Sequence, residues 1–199
     1  MKTIDLPDPH FEGEIDEILY GRRSIRKFSE EPLETSDVSA ILWAGMGNAQ
    51  FRRTVPSAGA CYPLELYAVI GDAAKIETGF YHYDYIEHRL ELINDEDPRE
   101  ELCSASLDQK FIETAPLDIV IAADFERTTM RYGKRGRRYV QMEVGHVGQN
   151  IYLAAETLGL GTVAVGAFDD ERVKEALELL LDPLYIMPIG HKDLNILNR

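Results

Sequence analysis

Apolar residues recur at helical spacing in four segments of the chain. Residues 13–20 (GEIDEILY) carry such a pattern, and residues 35–47 begin with a Thr-Ser-Asp sequence that is typical of a helix start. Residues 169–180 (DDERVKEALELL) place acidic side chains in the first turn, where the helix dipole favours them. We expect a helix in each of these three segments.

The strongest helical pattern covers residues 139–161 (YVQMEVGHVGQNIYLAAETLGLG). Its main apolar stripe consists of Val140, Val144, Val147, Ile151, Ala154 and Leu158. A helix that is apolar on most of its sides must be buried on most of its sides. We therefore expect a second subunit to cover part of this helix, with Gly145 and Gly148 allowing close approach. Ordinary packing within one chain is the alternative.

Alternating or continuous apolar runs predict the strands. They cover residues 64–71, 79–84, 88–93, 117–124, 162–168 and 183–190. The segments 79–84 and 88–93 both alternate and are separated by turn-prone residues, which indicates a hairpin. The segment 117–124 (LDIVIAAD) is almost continuously apolar, as expected of a central strand that is buried on both faces.

Residues 126–138 (ERTTMRYGKRGRR) are basic, contain glycine and show no hydrophobic period. We therefore expect a loop. Such charge runs are usually solvated surface segments. The functional alternative is a flap that contacts a phosphate or carboxylate of a ligand.

The composition describes a soluble globular chain with a single domain, residues 1–199. Its net charge is −14, which disfavours nucleic acid and anionic membranes as partners. No apolar run approaches the roughly 20 residues that cross a bilayer, and the first residues lack the apolar core of a signal peptide. We expect a cytoplasmic protein.

The two cysteines, Cys61 and Cys103, form no CxxC pair, and no His/Cys cluster has the spacing of a zinc site. We therefore predict no metal site. Free cysteines are commonly buried apolar residues. A disulfide or a reactive thiol is the alternative, and disulfides are rare in cytosolic proteins.

A basic cluster stands out in this acidic chain. Arg22, Arg23 and Arg26 surround Ser24 in the segment RRSIRKF. Residues three and four apart share one face of a helix, and arginine binds phosphate through paired N–H donors. Each hydrogen bond to a charged group contributes about 1.5–3 kcal/mol. The cluster could anchor a phosphomonoester, or it could form ion pairs with surface carboxylates.

Two further segments suit a flat ligand. Residues 56–60 (PSAGA) have little side-chain bulk, so main-chain groups could approach a ring closely. Residues 163–170 (VAVGAFDD) read as a strand that ends in glycine before an acid-capped helix, and backbone N–H groups at such an end can face a crevice. A plain turn and a plain strand-to-helix connection are the respective alternatives.

Four segments in this order resemble the nitroreductase-like flavin oxidoreductase family. They are RRSIRKF, VPSAGACYPLELYAVIG, GHVGQNIYLAAETLGLGTVAVGAFDD and PLYIMPIGHK. The likeness is nearest to the SagB-type branch, which includes the azoline dehydrogenases. The segment LPDP near the N-terminus and the hairpin segments GFYHYD and HRLEL also resemble that branch. Nearly the whole chain is covered.

The resemblance implies an α+β nitroreductase-like fold. In it a mixed, mainly antiparallel sheet is flanked by helices on both faces, and two copies form an intertwined homodimer that binds FMN at the interface. The cofactor-binding positions that it implies are Arg22, Arg23, Ser24, Arg26, Pro56, Ser57, Ala58, Gly59, Gln109, Gly166, Ala167, His191 and Lys192. Arg199 is a further phosphate-contact candidate. The segment 56–59 would reach the flavin of the other subunit, and the strand end at Gly166 and Ala167 would face flavin N5.

The implied activity is NAD(P)H-driven reduction of a small nitro or quinone acceptor by hydride transfer through flavin N5. Two alternatives stay open: a peptide azoline dehydrogenase and a non-enzymatic flavin-binding protein. Azoline dehydrogenases of this branch tend to carry a Lys-Tyr pair, whereas this chain has Arg131-Tyr132-Gly133-Lys134. Tyr132 is therefore a candidate general acid or base, with simple aromatic packing as the alternative.

Overall fold

The computed structural model describes Thr3 and residues 13–193. Two sequence predictions fall largely outside this part of the chain. The LPDP segment at 6–9 is one, and the C-terminal tail 194–199 with Arg199 is the other.

The fold is built on a six-stranded sheet whose neighbouring strands all pair antiparallel, in the order β5-β4-β3-β6-β8-β7. These strands are β3 (Leu64–Ile70), β4 (Gly79–Asp84), β5 (Arg89–Asn94), β6 (Leu117–Ala123), β7 (Leu160–Thr162) and β8 (Asp182–His191). A separate small hairpin joins β1 (Asn48–Ala49) to β2 (Arg52–Arg53). The central strand β6 is buried along its whole length, as its continuous apolar run predicts.

Helices cover both faces of the sheet. They are α1 (Ile15–Gly21), α2 (Thr35–Met46), α3 (Arg99–Ala105), α4 (Lys110–Thr114), α5 (Phe125–Tyr132), α6 (Gly136–Thr157) and α7 (Asp170–Leu177). Successive strand residues point to opposite faces, so Ile119 packs in a core with α2 and α6, while Val120 packs in a second core with α3 and α7. The predicted α+β architecture with a mainly antiparallel sheet is confirmed, together with the hairpin and the three shorter predicted helices.

The predicted loop at 126–138 is wrong, because most of this segment is helical. Helix α5 begins after Asp124, whose side chain caps it by accepting the Glu126 N–H at 2.9 Å. It ends at Gly133, which adopts a positive φ of 56° that favours glycine. A short 3-10 turn (Gly133–Arg135) then leads directly into α6. The basic side chains therefore stand on a helical corner, not on a flap.

The predicted strand at 162–168 is also largely wrong, because β7 covers Leu160–Thr162 and shares only Thr162 with it. Strand β7 ends at Thr162, and beyond it only Val165 forms an isolated bridge, with Ile186. The ladder breaks because the Ala164 N–H donates to the Tyr152 hydroxyl on α6 at 2.9 Å instead of to β8. Gly166 and Ala167 consequently lie in an exposed loop and not at a strand end.

Helix α6 is buried along most of its predicted stripe but open on one side, since Ala154 is half-buried and Leu158, beyond the end of the helix, is exposed. Val140, Val147 and Ile151 are fully buried. Gly148 faces the ring of Tyr185 in the same chain, whereas a side chain added at Gly145 would meet nothing within 4 Å. One of the two glycines thus serves packing within the chain, and the prediction that a second subunit covers the open side stays a prediction.

Both cysteines are free, with Cys103 buried and Cys61 half-buried. Within residues 13–193 and Thr3, no group of three or more His, Cys, Asp or Glu side chains could hold a metal ion. None of the helices in that part of the chain is long and apolar enough to cross a bilayer.

A buried carboxyl interrupts the apolar surface of the central strand. Asp118 is fully buried on β6, and neither of its oxygens has a hydrogen-bond partner among the described residues. Burial raises the pKa of Asp118 well above its ordinary value, and the charge of Arg99 opposes this only in part. The side chain is therefore protonated in the folded protein at pH values where an exposed carboxyl is ionised.

We expect Asp118→Asn to remove a fall in stability with rising pH. A carboxyl whose pKa is raised by folding holds a proton that the unfolded chain releases above pH 3.8. The free energy of unfolding therefore decreases with pH by about 1.4 kcal/mol per unit until the folded pKa is passed. Urea unfolding at about pH 5 and about pH 7 measures the effect, and the same pH dependence in both proteins would contradict it.

Candidate active site

The arginine cluster lies on an extended segment and not on a helix. Helix α1 ends at Gly21, and the Ile25 N–H donates to the Thr162 carbonyl at 2.9 Å. The helical-face interpretation of Arg22 and Arg26 is therefore wrong. In an extended chain alternate side chains share one side, so Arg22, Ser24 and Arg26 still lie in one row, opposite the buried Ile25.

Tyr152 of α6 joins this row to the end of β7. Its hydroxyl lies 2.9 Å from the Ser24 hydroxyl and accepts the Ala164 N–H at 2.9 Å. The Arg22 guanidinium stacks over its ring at 5.2 Å from the centroid. Tyr152 was not among the site residues predicted from the sequence. The signal that could have identified it is a tyrosine within the buried pattern of a helix. A half-buried tyrosine hydroxyl usually has a hydrogen-bond partner.

The charges of the arginine cluster are not neutralised by ion pairs within the described residues. Arg22, Arg23 and Arg26 form no ion pair with any carboxylate of the described residues, although the chain has 35 acidic residues. Lys192 lies at the same end of the sheet but pairs with Glu156 at 2.9 Å, and His191 lies 4.0 Å from Glu31. The arginines are therefore better placed than His191 and Lys192 to bind an added anion.

A second part of the site is the loop after β7. The Gln109 side-chain amide donates to the Ala167 carbonyl at 3.1 Å and to the Ser106 carbonyl at 2.9 Å. The N–H groups of Gly166 and Ala167 donate no hydrogen bond within the part of the chain that the structure describes. The sequence-predicted residues Gln109, Gly166 and Ala167 thus come together, with two exposed backbone donors.

The third part is the turn formed by residues 57–62, which we call the 57–62 turn. Gly59, Ala60 and Tyr62 have positive φ angles of 59°, 53° and 45°. For the two residues with side chains this conformation costs about 1–2 kcal/mol each. The buried Glu143 accepts the Ser57 hydroxyl at 2.7 Å, and Arg131 donates to the Gly59 carbonyl at 2.8 Å. Hydrogen bonds to charged groups contribute about 1.5–3 kcal/mol each, enough to hold the turn.

Tyr132 belongs to the surroundings of this turn. Its hydroxyl faces Gly59, where a side chain would collide with it, and its ring packs edge-on against Tyr139 with centroids 5.1 Å apart. The ring contact fits the packing interpretation, and the hydroxyl beside Gly59 leaves the acid–base interpretation as a prediction.

The 57–62 turn and the arginine row do not meet within one chain. The turn is anchored at Glu143 and the row at Tyr152, nine residues further along α6. At 1.5 Å per residue these anchors are separated by about 14 Å along the helix axis.

Two cavities of about 440 and 470 Å³ lie elsewhere, one lined by Ser39 and His88 and the other by Glu65 and Arg127.

Comparison with known proteins identifies the family. A profile described as "Nitroreductase family" matches residues 19–191, which is most of the chain, so the chain belongs to the nitroreductase family. The fold and the predicted resemblance are confirmed. The protein is therefore an oxidoreductase.

Individual relatives agree with this assignment. A protein of Methanocaldococcus jannaschii, provisionally named as a nitroreductase, is 48% identical over 191 residues, covering 95% of this chain and 96% of the relative. A crystal structure described as a nitroreductase of Ralstonia eutropha superposes with a TM-score of 0.79 at 28% identity, covering 94% of this chain and 88% of the other.

A third relative belongs to the SagB-related group. The trifolitoxin-processing protein TfxB of Rhizobium leguminosarum bv. trifolii is 35% identical over 140 residues. The match covers 64% of this chain and 36% of TfxB, so this chain spans little more than a third of that protein. The similarity agrees with the predicted nearness to the SagB-type branch.

We expect Tyr152→Phe to lower the free energy of unfolding by about 1–3 kcal/mol, because the Ser24 hydroxyl and the Ala164 N–H lose their partner. Tyr185→Phe is the matched control, since the Tyr185 hydroxyl has no hydrogen bond among the described residues. Urea unfolding of both variants checks the difference. Equal losses of stability would contradict the role given to the Tyr152 hydroxyl.

Proposed function

We propose that the chain is an FMN-dependent oxidoreductase that uses NAD(P)H to reduce a small acceptor of the nitro or quinone type. Members of its family use flavin and NAD(P)H. The observation that carries the proposal is the row of Arg22, Ser24 and Arg26, whose guanidinium groups have no carboxylate partner among the described residues of a chain with net charge −14.

The residues present fit the phosphate of FMN. Two guanidinium groups and a hydroxyl on one side of an extended segment supply several donors, and guanidinium binds phosphate oxygens in pairs. The Tyr152 ring holds Arg22 in place, and the Tyr152 hydroxyl holds Ser24. Arg23 is exposed and adds positive charge, while Lys192 and His191 would contribute only after leaving their carboxylate neighbours.

The loop after β7 fits the flavin ring. The free N–H groups of Gly166 and Ala167 would donate to a ring nitrogen such as N5. The Gln109 amide nitrogen is held by two carbonyls, which leaves its side-chain oxygen as an acceptor for a ring N–H. These groups orient a ring, and none of them needs to change protonation state.

The geometry of α6 supports a site that is completed by a second copy of the chain. The segment Pro56, Ser57, Ala58 and Gly59 is anchored at Glu143, nine residues or about 2.5 helical turns before the Tyr152 anchor of the arginine row, so the two parts lie on different sides of α6. Gly145 leaves one side of α6 open. In a twofold dimer the turn of one protomer would reach the ligand held by its partner. We therefore propose a homodimer with the flavin at the interface.

The arginine row and the loop after β7 would hold FMN, which would supply hydride transfer between NAD(P)H and the acceptor. The chain would bind the phosphate through the arginine row and direct the N–H groups of Gly166 and Ala167 at the ring. Tyr132 is the candidate proton donor or acceptor beside the 57–62 turn. The dependence on NAD(P)H supports a cytoplasmic location.

A second candidate is a peptide azoline dehydrogenase, because TfxB is named as a processing protein. The chain carries Tyr132 with Lys134 two residues later in the 3-10 turn, and not an adjacent Lys-Tyr pair. This departure makes the NAD(P)H-driven reductase the first choice.

Flavin analysis of the purified protein, followed by anaerobic reduction, distinguishes these functions. The proposal predicts that bound FMN is bleached by NADH or NADPH and reoxidised by a quinone or nitroaromatic compound. Bleaching by an azoline-containing peptide alone would favour the dehydrogenase. A protein that retains no FMN and binds none on addition would refute both.

We expect Arg22→Gln and Arg26→Gln each to raise the Kd for FMN about 10- to 150-fold, the equivalent of one lost charged hydrogen bond. Lys27→Gln is the matched control, because it removes the same charge from an exposed neighbour outside the row. Titration of the cofactor-free protein with FMN, followed by flavin fluorescence, measures the Kd. An equal loss of affinity in all three variants would show that only net charge matters.

A further inference from the structure

Glu143 is a charged side chain in a place where burial is costly. It lies on α6 and is 3% exposed. Burial raises the pKa of its carboxyl, although the Ser57 hydrogen bond and the charge of Arg53 act in the opposite direction. A leucine at this position would match the apolar neighbours of the helix, so packing alone does not account for the carboxylate.

The contacts of Glu143 are all with one short segment or its immediate support. Its carboxylate accepts the Ser57 hydroxyl at 2.7 Å, and the Ala58 N–H lies near enough to lower the pKa of the carboxyl. The Ser57 oxygen in turn accepts the Tyr62 N–H at 2.9 Å. One carboxylate therefore connects the first residues of the 57–62 turn to a rigid helix, and through Ser57 it also reaches the last residue.

Two arginines support the same turn from other elements. Arg131 of α5 donates to the Gly59 carbonyl in its middle. The buried Arg53 lies between the rings of Tyr62 and Tyr85, at 4.9 and 3.8 Å, and donates to the Leu64 carbonyl at 3.0 Å. The turn is thus held at its beginning, middle and end, and Glu143 is the side chain that accepts from its first residue.

We propose that Glu143 is a positioning residue that fixes the 57–62 turn in its left-handed conformation, so that the backbone of residues 57–59 is presented to the flavin of the partner protomer. The first half of the proposal concerns the turn itself, and the second half rests on the proposed function. Glu143 acts through Ser57 and Ala58, and the sequence resemblance assigned it no role.

Cys61 makes the conformation of the turn measurable without a cofactor. It is half-buried inside the turn, whereas Cys103 is 1% exposed in a separate core. A thiol in a segment that opens locally reacts faster with a water-soluble disulfide reagent, because reaction requires the open form. The rate of Cys61 modification therefore reports on the turn, and Cys61→Ser identifies the signal.

The test compares three variants of the full chain. Glu143→Leu removes both carboxylate oxygens, and Ser57→Ala removes the hydroxyl that connects Glu143 to the Tyr62 N–H. Glu143→Gln keeps one oxygen acceptor in place. We expect the first two to raise the rate of Cys61 modification by at least about tenfold, while Glu143→Gln stays within about threefold of the parent. FMN titration of the same proteins should show a loss of affinity in the same order.

The outcomes separate this proposal from the proposed function. Parent-like thiol rates in both Glu143→Leu and Ser57→Ala, with urea midpoints showing that the proteins are folded, would overturn the positioning role. A faster thiol reaction with unchanged FMN affinity would overturn the presentation of the turn to the flavin. If the parent binds no FMN, the proposed function fails, and the thiol rates still decide whether Glu143 positions the turn. If Glu143→Leu does not fold, Ser57→Ala decides.

Discussion

The packing of α6 against the sheet is the constraint on which the site depends. Its buried stripe, including Val140, Val147 and Ile151, sets the rotation of the helix. That rotation directs two polar side chains, Glu143 and Tyr152, toward separate backbone segments of the same chain. One helix therefore positions both the 57–62 turn and the arginine row, through anchors that lie nine residues apart.

Much of the fold could be predicted because apolar residues recur with a clear strand or helix periodicity in its main elements. The central strand β6, the β4–β5 hairpin and the stripe on α6 each follow a clear apolar pattern. The errors arise where a local signal is ambiguous or a distant contact intervenes. Helix α5 has few apolar residues and two adjacent threonines, which have low helix propensity, so its Asp124 cap and the Gly133 end were outweighed by the basic charge.

The proximity of the candidate residues was easier to predict than the contacts that hold them. Arg22, Ser24 and Arg26 are two apart, and Arg22 and Arg26 are also four apart, so both an extended chain and a helix place the two arginines together. The partners could not be predicted in the same way. The bond from Ala164 to Tyr152 and that from Ser57 to Glu143 join residues 12 and 86 positions apart, and no local pattern in one sequence reveals such pairs.

The extended segment that carries the arginines also covers an edge strand of the sheet. Ser24 forms a parallel bridge with Thr162, and Ile25 bonds to the same residue, so this segment covers the outer side of β7 at the border of the sheet. Exposed edge strands of this kind can pair with strands of other molecules, which leads to aggregation. The segment proposed to bind the anion therefore also protects a sheet edge, and a protease cut that released it would leave β7 open to pairing with other molecules.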